Sequence, residues 1–87
     1  MPLLSTFYGI LIYMNRKKEH NPPHIHAEYG EFEASFNFDG ETIAGKFPLK
    51  QTKIVAAWIA IHKDELEAMW KLAMAGEKLD RIAPLAL

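Results

Sequence analysis

Three of the chain's four histidines lie within residues 20–26, which read HNPPHIH. Histidine is the one side chain whose ordinary pKa lies near neutral pH, so clustered imidazoles can exchange protons, ligate a metal or bind an anion. The two prolines restrict this loop, because each fixes its own φ and Pro22 favours an extended conformation at Asn21. A site in this chain is therefore expected to begin at this loop.

Two imidazoles on one face of a strand permit acid–base chemistry without a metal or other cofactor. A neutral ring can remove a proton from a ribose hydroxyl while a protonated ring supplies one to the leaving oxygen. We assign these roles to His24 and His26, with His20 assisting. The one compact basic run, Arg16, Lys17 and Lys18, is expected to hold the phosphate and to stabilise developing charge. The pattern fits a small metal-independent ribonuclease.

Three other interpretations stay open on the residues alone. A metal-dependent hydrolase would use the two imidazoles with Glu28 or His20 as ligands for zinc, iron or nickel, although short His-x-His matches are common by chance. A purely structural role has the histidines bond to loop carbonyls. A non-enzymatic module would dock a protein or nucleic acid on the polar sheet face and a free strand edge.

Composition indicates one domain over residues 1–87. The chain has 49% hydrophobic residues, no cysteine and a formal net charge of −1. Such a chain can build a core, lacks disulfides and thiol chemistry, and has no overall electrostatic attraction to nucleic acid. The apolar start of the chain is interrupted by Ser5 and Thr6, and no basic residue precedes it. We therefore expect neither a signal peptide nor a membrane span there. A cytoplasmic protein is expected.

The elements that must position the histidines are four strands and a helix. Apolar runs and two-residue alternation predict strands at Phe7–Met14, His24–Tyr29, Glu31–Phe38 and Thr42–Phe47. From Gln51 to Ala75 the apolar period is helical, without Gly or Pro, and it ends at Gly76. We therefore predict an α+β fold: a four-stranded antiparallel meander with one long helix packed on one face. A kink before Asp64 is an alternative, because Asp64 and Glu67 resemble a capping box.

Two turns predict the strand register. Gly30-Glu31 fits a type II′ turn that pairs Tyr29 with Phe32 and His26 with Ser35. Asp39-Gly40 fits a type I′ turn that pairs Phe36 with Ile43 and Glu33 with Lys46. Both place the apolar side chains on one face, under the helix.

The polar side chains should therefore share the opposite, open face. His24, His26 and Glu28 follow one another there, about 6.6 Å apart along the strand, with Glu33 beside them. Glu28 is expected to orient an imidazole, with Glu33 supporting it. His62 falls in the helical stripe and is expected to pack at the margin of the core.

The chain resembles a small prokaryotic family, domain of unknown function 4160. The resemblance is carried by FYGI at residues 7–10, HNPPHIH at 20–26, YGE at 29–31, and by Trp58, His62, Trp70 and the closing IAPL at 82–85. Ala83 departs from the acidic residue more often found at that position. The resemblance implies one half of a two-gene cassette that is similar to a type II toxin–antitoxin module.

In that module this chain would be the toxin. Its partner would be a cognate antitoxin of the domain of unknown function 2442 type, and the resemblance implies no catalytic residue. We therefore expect a toxin that acts on RNA through the histidine cluster, with a binding module and a metal-dependent hydrolase as alternatives. An unpaired strand edge in so small a domain also permits a homodimer.

Overall fold

The computed structural model describes residues 1–16 and 22–86. It is an α+β fold in which one antiparallel sheet precedes two helices. The sheet is a meander, with its strands in the order β1-β2-β3-β4-β5. The elements are β1 Leu3–Phe7, β2 Ile10–Tyr13, β3 His24–Tyr29, β4 Phe32–Asn37, β5 Thr42–Lys46, α1 Leu49–Ile61 and α2 Lys63–Met74.

The first hairpin corrects the prediction of four strands to five. Residues 7–14 do not form one strand, because Tyr8 and Gly9 form a turn between Phe7 and Ile10, which pair with each other. Both turn residues have positive φ, 50° and 77°, as a type I′ turn requires. The glycine within the apolar run was the available signal, since an isolated glycine in a strand pattern often marks a break.

The β3–β4 hairpin confirms its predicted register. Tyr29 pairs with Phe32, His26 with Ser35 and His24 with Asn37. Gly30 has the positive φ, 57°, that the first central position of a type II′ turn needs. The six residues of β3 are those predicted.

The β4–β5 turn is of a different type from the one predicted. The Asn37 side-chain oxygen accepts hydrogen bonds from the backbone N–H groups of Asp39 and Glu41, 3.0 Å each, and Gly40 N–H donates to the Asn37 carbonyl. These bonds favour a three-residue loop with Gly40 left-handed, at φ 83°. Phe36 consequently pairs with Thr42 and not with Ile43.

A β-bulge then restores the predicted register in the rest of β5. Ser35 pairs with Ala44 and Glu33 with Lys46, with Ile43 as the extra residue. A bulge inserts one unpaired residue and so compensates the one-residue offset of the turn.

The predicted single helix is two helices that meet at His62. The φ and ψ of His62, −109° and 20°, leave the helical region, although its N–H still donates to the Trp58 carbonyl and its carbonyl accepts from Leu66. The second helix begins at Lys63, before Asp64, and no side-chain bond caps it. The capping box at Asp64 and Glu67, which the alternative with a kink included, is therefore absent. His62 packs on the Trp58 ring, 5.3 Å between centroids, at the margin of the core as expected.

The core lies between the sheet and the helices. Buried strand residues such as Ile12, Ile25 and Phe36 share it with Val55 and Trp58 of α1. Leu66 and Trp70 of α2 extend the core toward the ends of β3 and β4. One face of the sheet is thus covered, as the alternation in β4 predicted.

The chain after α2 returns to the sheet and contacts β1 at Leu4. Ile82 N–H donates to the Leu4 carbonyl at 2.7 Å, and the Trp58 indole N–H donates to the Ala83 carbonyl at 2.9 Å. The Ile82 side chain is only 3% exposed. We refer to residues 79–86 as the C-terminal tail. At the opposite edge of the sheet, all five residues of β5 are exposed.

Candidate functional site

The histidine-containing loop enters β3 at His24. Its described part begins at Pro22; His20, together with Lys17 and Lys18 of the basic run, lies outside the described residues. The roles assigned to those three side chains therefore stay predictions.

His24 is buried, and this corrects its expected place on an open face. His24 is only 8% exposed, and its ring packs on Trp70 of α2 with the two ring centroids 5.4 Å apart. The Nδ1 atom lies 2.8 Å from the Pro22 carbonyl, which can only accept, so Nδ1 carries the proton. Strand alternation alone directed His24 away from the core, but α2 extends far enough to cover the end of the strand.

His26 lies beside His24, as its spacing on the strand predicted. The two rings meet edge to face with their centroids 5.0 Å apart. His26 is half-buried, and its Nδ1 lies 3.2 Å from the Ser35 hydroxyl on the neighbouring strand. We call His24 and His26 the imidazole pair. Its two members are thus both held, one by the loop backbone and one across the sheet.

A shallow depression of about 190 Å³ adjoins the imidazole pair on the outer sheet face. His26, Glu28, Glu33 and Ser35 line part of it. Glu28 and Glu33 face each other across β3 and β4, as predicted. The imidazole hydrogen bonds described above go to Pro22 and Ser35, so orientation of a ring by either glutamate stays a prediction.

Arg16, which follows β2, connects that part of the chain to the residues that follow α2. Its guanidinium donates to the Gly76 carbonyl at 2.8 Å while the side chain stays exposed. A guanidinium has five N–H donors, so this bond leaves others for an anion. Phosphate binding by Arg16 is not tested by this geometry.

Two kinds of feature are absent from the described part of the chain. Within residues 1–16 and 22–86, three or more histidine, aspartate or glutamate side chains never gather in a way that could hold a metal ion. Over the same ranges, neither helix has the length and apolar character needed to cross a bilayer.

Sequence reasoning missed two surfaces that the structure reveals. One is the identity of the open edge: a free strand edge was expected, but the sequence did not indicate that it would be β5. The second is a groove beside Tyr8, lined also by Tyr29, Lys50 and Lys53. Its only signal was the Tyr-Gly pair at residues 8 and 9, which was included in a strand.

Comparison with known proteins identifies a family and no function. None of the curated proteins and none of the solved structures matches the chain. The family described as "Domain of unknown function (DUF4160)" matches residues 9–71, which include Gly9 of the first turn, the imidazole pair, all of α1 and most of α2. This match covers well over half of the chain, which therefore belongs to the DUF4160 family.

Proposed function

We propose that this chain is the toxin-type member of a cytoplasmic two-protein pair, and that it binds its partner by strand addition at β5. The partner is a protein of the domain of unknown function 2442 type. One observation carries the proposal: the chain's own tail bonds to β1 at Leu4, at one edge of the sheet, while all five residues of β5, at the other edge, are exposed. An edge strand presents main-chain donors and acceptors to which an extended segment can add.

The details of β5 favour a partner strand over uncontrolled self-association. Proteins protect open edges with short strands, bulges and lysines. β5 has five residues, a bulge at Ile43 and a terminal Lys46. These features disfavour a long continuous sheet between copies but leave a short segment for pairing. Ile43, which is 42% exposed, supplies an apolar anchor beside that segment.

The environment of the imidazole pair bears on how the toxin would inhibit growth. It favours binding to a cellular target, without chemistry, over catalysis by the two histidines. His24 is buried, stacked on Trp70 and bonded to Pro22, so packing alone accounts for a histidine at that position. Substrate access to its ring is restricted, whereas general acid–base catalysis needs the ring within hydrogen-bond reach of substrate. The imidazole pair therefore acts mainly to fix the loop to the sheet and to α2.

RNA cleavage is the second candidate, and a specific geometry favours it. The rings lie 5.0 Å apart, and the Pro22 carbonyl holds the proton of His24 on Nδ1. A neutral His24 then has its lone pair on Nε2, which is the arrangement of a general base whose other nitrogen is held by an acceptor. Arg16 would bind the phosphate in this mechanism.

Partner binding is tested with matched substitutions of exposed isoleucines. Ile43→Glu places a charge on the β5 edge, and Ile61→Glu makes the same change on α1, where Ile61 is 65% exposed. Calorimetric titration with the protein encoded by the neighbouring gene should show binding weakened about tenfold or more by Ile43→Glu only. Equal affinities for both variants would refute strand addition at β5.

The two candidate mechanisms are separated at His26. His26→Gln keeps a polar side chain able to bond to Ser35, so the fold should persist, and under the binding mechanism the variant still inhibits growth. Loss of growth inhibition with an unchanged thermal midpoint would instead support catalysis by the imidazole pair. His24→Ala is unsuited to this purpose, because it removes a buried ring from Trp70 and is expected to destabilise the fold.

A further inference from the structure

A groove of about 620 Å³ lies between the β1–β2 turn and the first half of α1. It shares no lining residue with β5 or with the imidazole pair. We call it the tyrosine groove; Tyr8, Tyr29, Lys50, Lys53, Ile54 and Leu85 line most of it. Its volume is in the range of sites for small organic ligands.

Tyr8 has a backbone conformation that its side chain does not favour. Its φ of 50° is the only positive value outside glycine in the described residues. The first central position of a type I′ turn prefers asparagine, aspartate or glycine, and a left-handed tyrosine is strained. Core packing does not explain the choice, because Tyr8 is 47% exposed. Strain of this kind concentrates at ligand sites, where the side chain is needed.

Gly9 brings the second tyrosine to the same place. A Cβ atom at Gly9 would lie 3.3 Å from Cε1 of Tyr29, so the lack of a side chain lets the Tyr29 ring lie close against the turn. Tyr29 also packs on Phe47, 6.3 Å between centroids, which holds it in position. The groove thus has one fixed and one exposed tyrosine.

Lys50 and Lys53 make the tyrosine groove positive. Both side chains are exposed, and among the described residues neither forms an ion pair with a carboxylate. Among the residues that the structure describes, no aspartate or glutamate lines the groove. The first turn of α1 also has no acidic residue, although the helix dipole favours acids there over lysines. Helix stability therefore does not explain Lys50, and an anionic ligand would.

We propose that the tyrosine groove binds a nucleotide, with its base stacked on Tyr8 and its phosphate held by Lys50 and Lys53. Sites for single-stranded nucleic acid combine exposed aromatic rings with cationic side chains, because every base has a planar face and every nucleotide a charge. The apolar wall formed by Ile54 and Leu85 suits the rest of a base or ribose. The same unit occurs in a free nucleotide and in single-stranded RNA, so the test must separate these sources.

Titrations of the labelled protein followed by NMR distinguish the ligands. The probes are adenosine monophosphate, a short polyuridine RNA and a polyglutamate peptide of equal length. We expect a nucleotide probe to shift the amide signals of residues 8–9 and 50–53. Tighter binding of the monophosphate identifies a free nucleotide as the ligand, and tighter binding of polyuridine identifies RNA. Binding of polyglutamate alone, or of no probe, would overturn the proposal.

Tyr8→Asn separates ligand binding from folding. Asparagine suits the type I′ position, so the thermal midpoint should rise, while loss of the stacking ring should weaken nucleotide binding about tenfold or more. The double variant Lys50→Gln/Lys53→Gln should also weaken binding, and the wild-type affinity should fall with rising salt. Lys71→Gln/Lys78→Gln makes the same charge change outside the groove and should bind as the wild type does. Unchanged binding by Tyr8→Asn would refute the proposed stacking.

Discussion

The two edges of the sheet differ in what lies against them. At β1 the C-terminal tail supplies a main-chain hydrogen bond to Leu4, a buried Ile82 and an acceptor for the Trp58 indole. At β5 every residue is exposed, and the strand carries a bulge and a terminal lysine. The β1 edge therefore contacts buried residues, and the β5 edge is exposed.

This difference assigns stability and binding to opposite edges. Covering an edge buries apolar side chains and satisfies backbone groups, which contributes to the free energy of unfolding. An uncovered edge contributes less, but it can accept a strand without any rearrangement of the core. Substitutions along β1 and the tail should therefore change stability, and substitutions along β5 should change partner affinity.

The largest expected effect is at the covered edge. Ile82→Ala removes a side chain that is 3% exposed and should lower the free energy of unfolding by about 2–5 kcal/mol. Ile43→Ala at the open edge should change it by about 0.5 kcal/mol or less, because Ile43 is 42% exposed. Urea denaturation of both variants measures the contrast. Equal losses would show that the two edges do not differ in this way.

The next effect concerns how β5 is attached to β4. At Gly45 φ is 80°, and a Cβ there would lie 2.4 Å from the Glu33 carbonyl oxygen. Gly45→Ala should therefore lower the free energy of unfolding by about 1–3 kcal/mol. Gly30→Ala is the matched control, because Gly30 also has positive φ but nothing within 4 Å of its Cβ position. If Gly45→Ala and Gly30→Ala lower the free energy of unfolding equally, the loss in Gly45→Ala comes from the positive φ alone and not from the close packing of β5 on β4.

How far the sequence predicts this molecule depends on the range of the interactions. The β3–β4 register followed from Gly30 and from alternation in β4, which are local signals. The predicted β4–β5 turn type was wrong because the Asn37 side chain selects a longer loop. One helix was preferred to the kinked alternative because the apolar stripe continues across the break at His62. Each of these errors is local and confined to a few residues.

The candidate site shows the limit more clearly. The spacing of His24 and His26 correctly predicted that their rings lie together. The burial of His24 depends on Trp70, which is distant in sequence, and the covering of β1 depends on the tail. Neither contact leaves a periodic pattern, so the exposure of the site could not be obtained from the sequence.

A smaller effect is expected from a buried polar group in β1. Ser5 in β1 is 1% exposed, and its hydroxyl has no hydrogen-bond partner in the described structure. Ser5→Ala removes this unsatisfied group and should raise the free energy of unfolding by about 1 kcal/mol. Ser35→Ala removes a hydroxyl that bonds to His26 and should lower it. Thermal and urea unfolding of both variants measure whether the free energy of unfolding rises in Ser5→Ala and falls in Ser35→Ala. A loss of stability in Ser5→Ala would show that the Ser5 hydroxyl has a hydrogen-bond partner.

The smallest effect lies at the turn that leads into the open edge. Lys63 of α2 donates to Asp39 at 3.0 Å, and this bond raises the pKa of the lysine above its ordinary value of 10.5. A group whose pKa is raised by folding stabilises the fold below its unfolded pKa and loses that contribution as pH rises through its folded pKa. Because both side chains are exposed, the contribution is small. The urea midpoints of wild type and Lys63→Gln should therefore differ slightly at neutral pH and converge in strong alkali. A difference that persists when Lys63 is deprotonated would mean that packing, and not the ion pair, holds α2 to the β4–β5 turn.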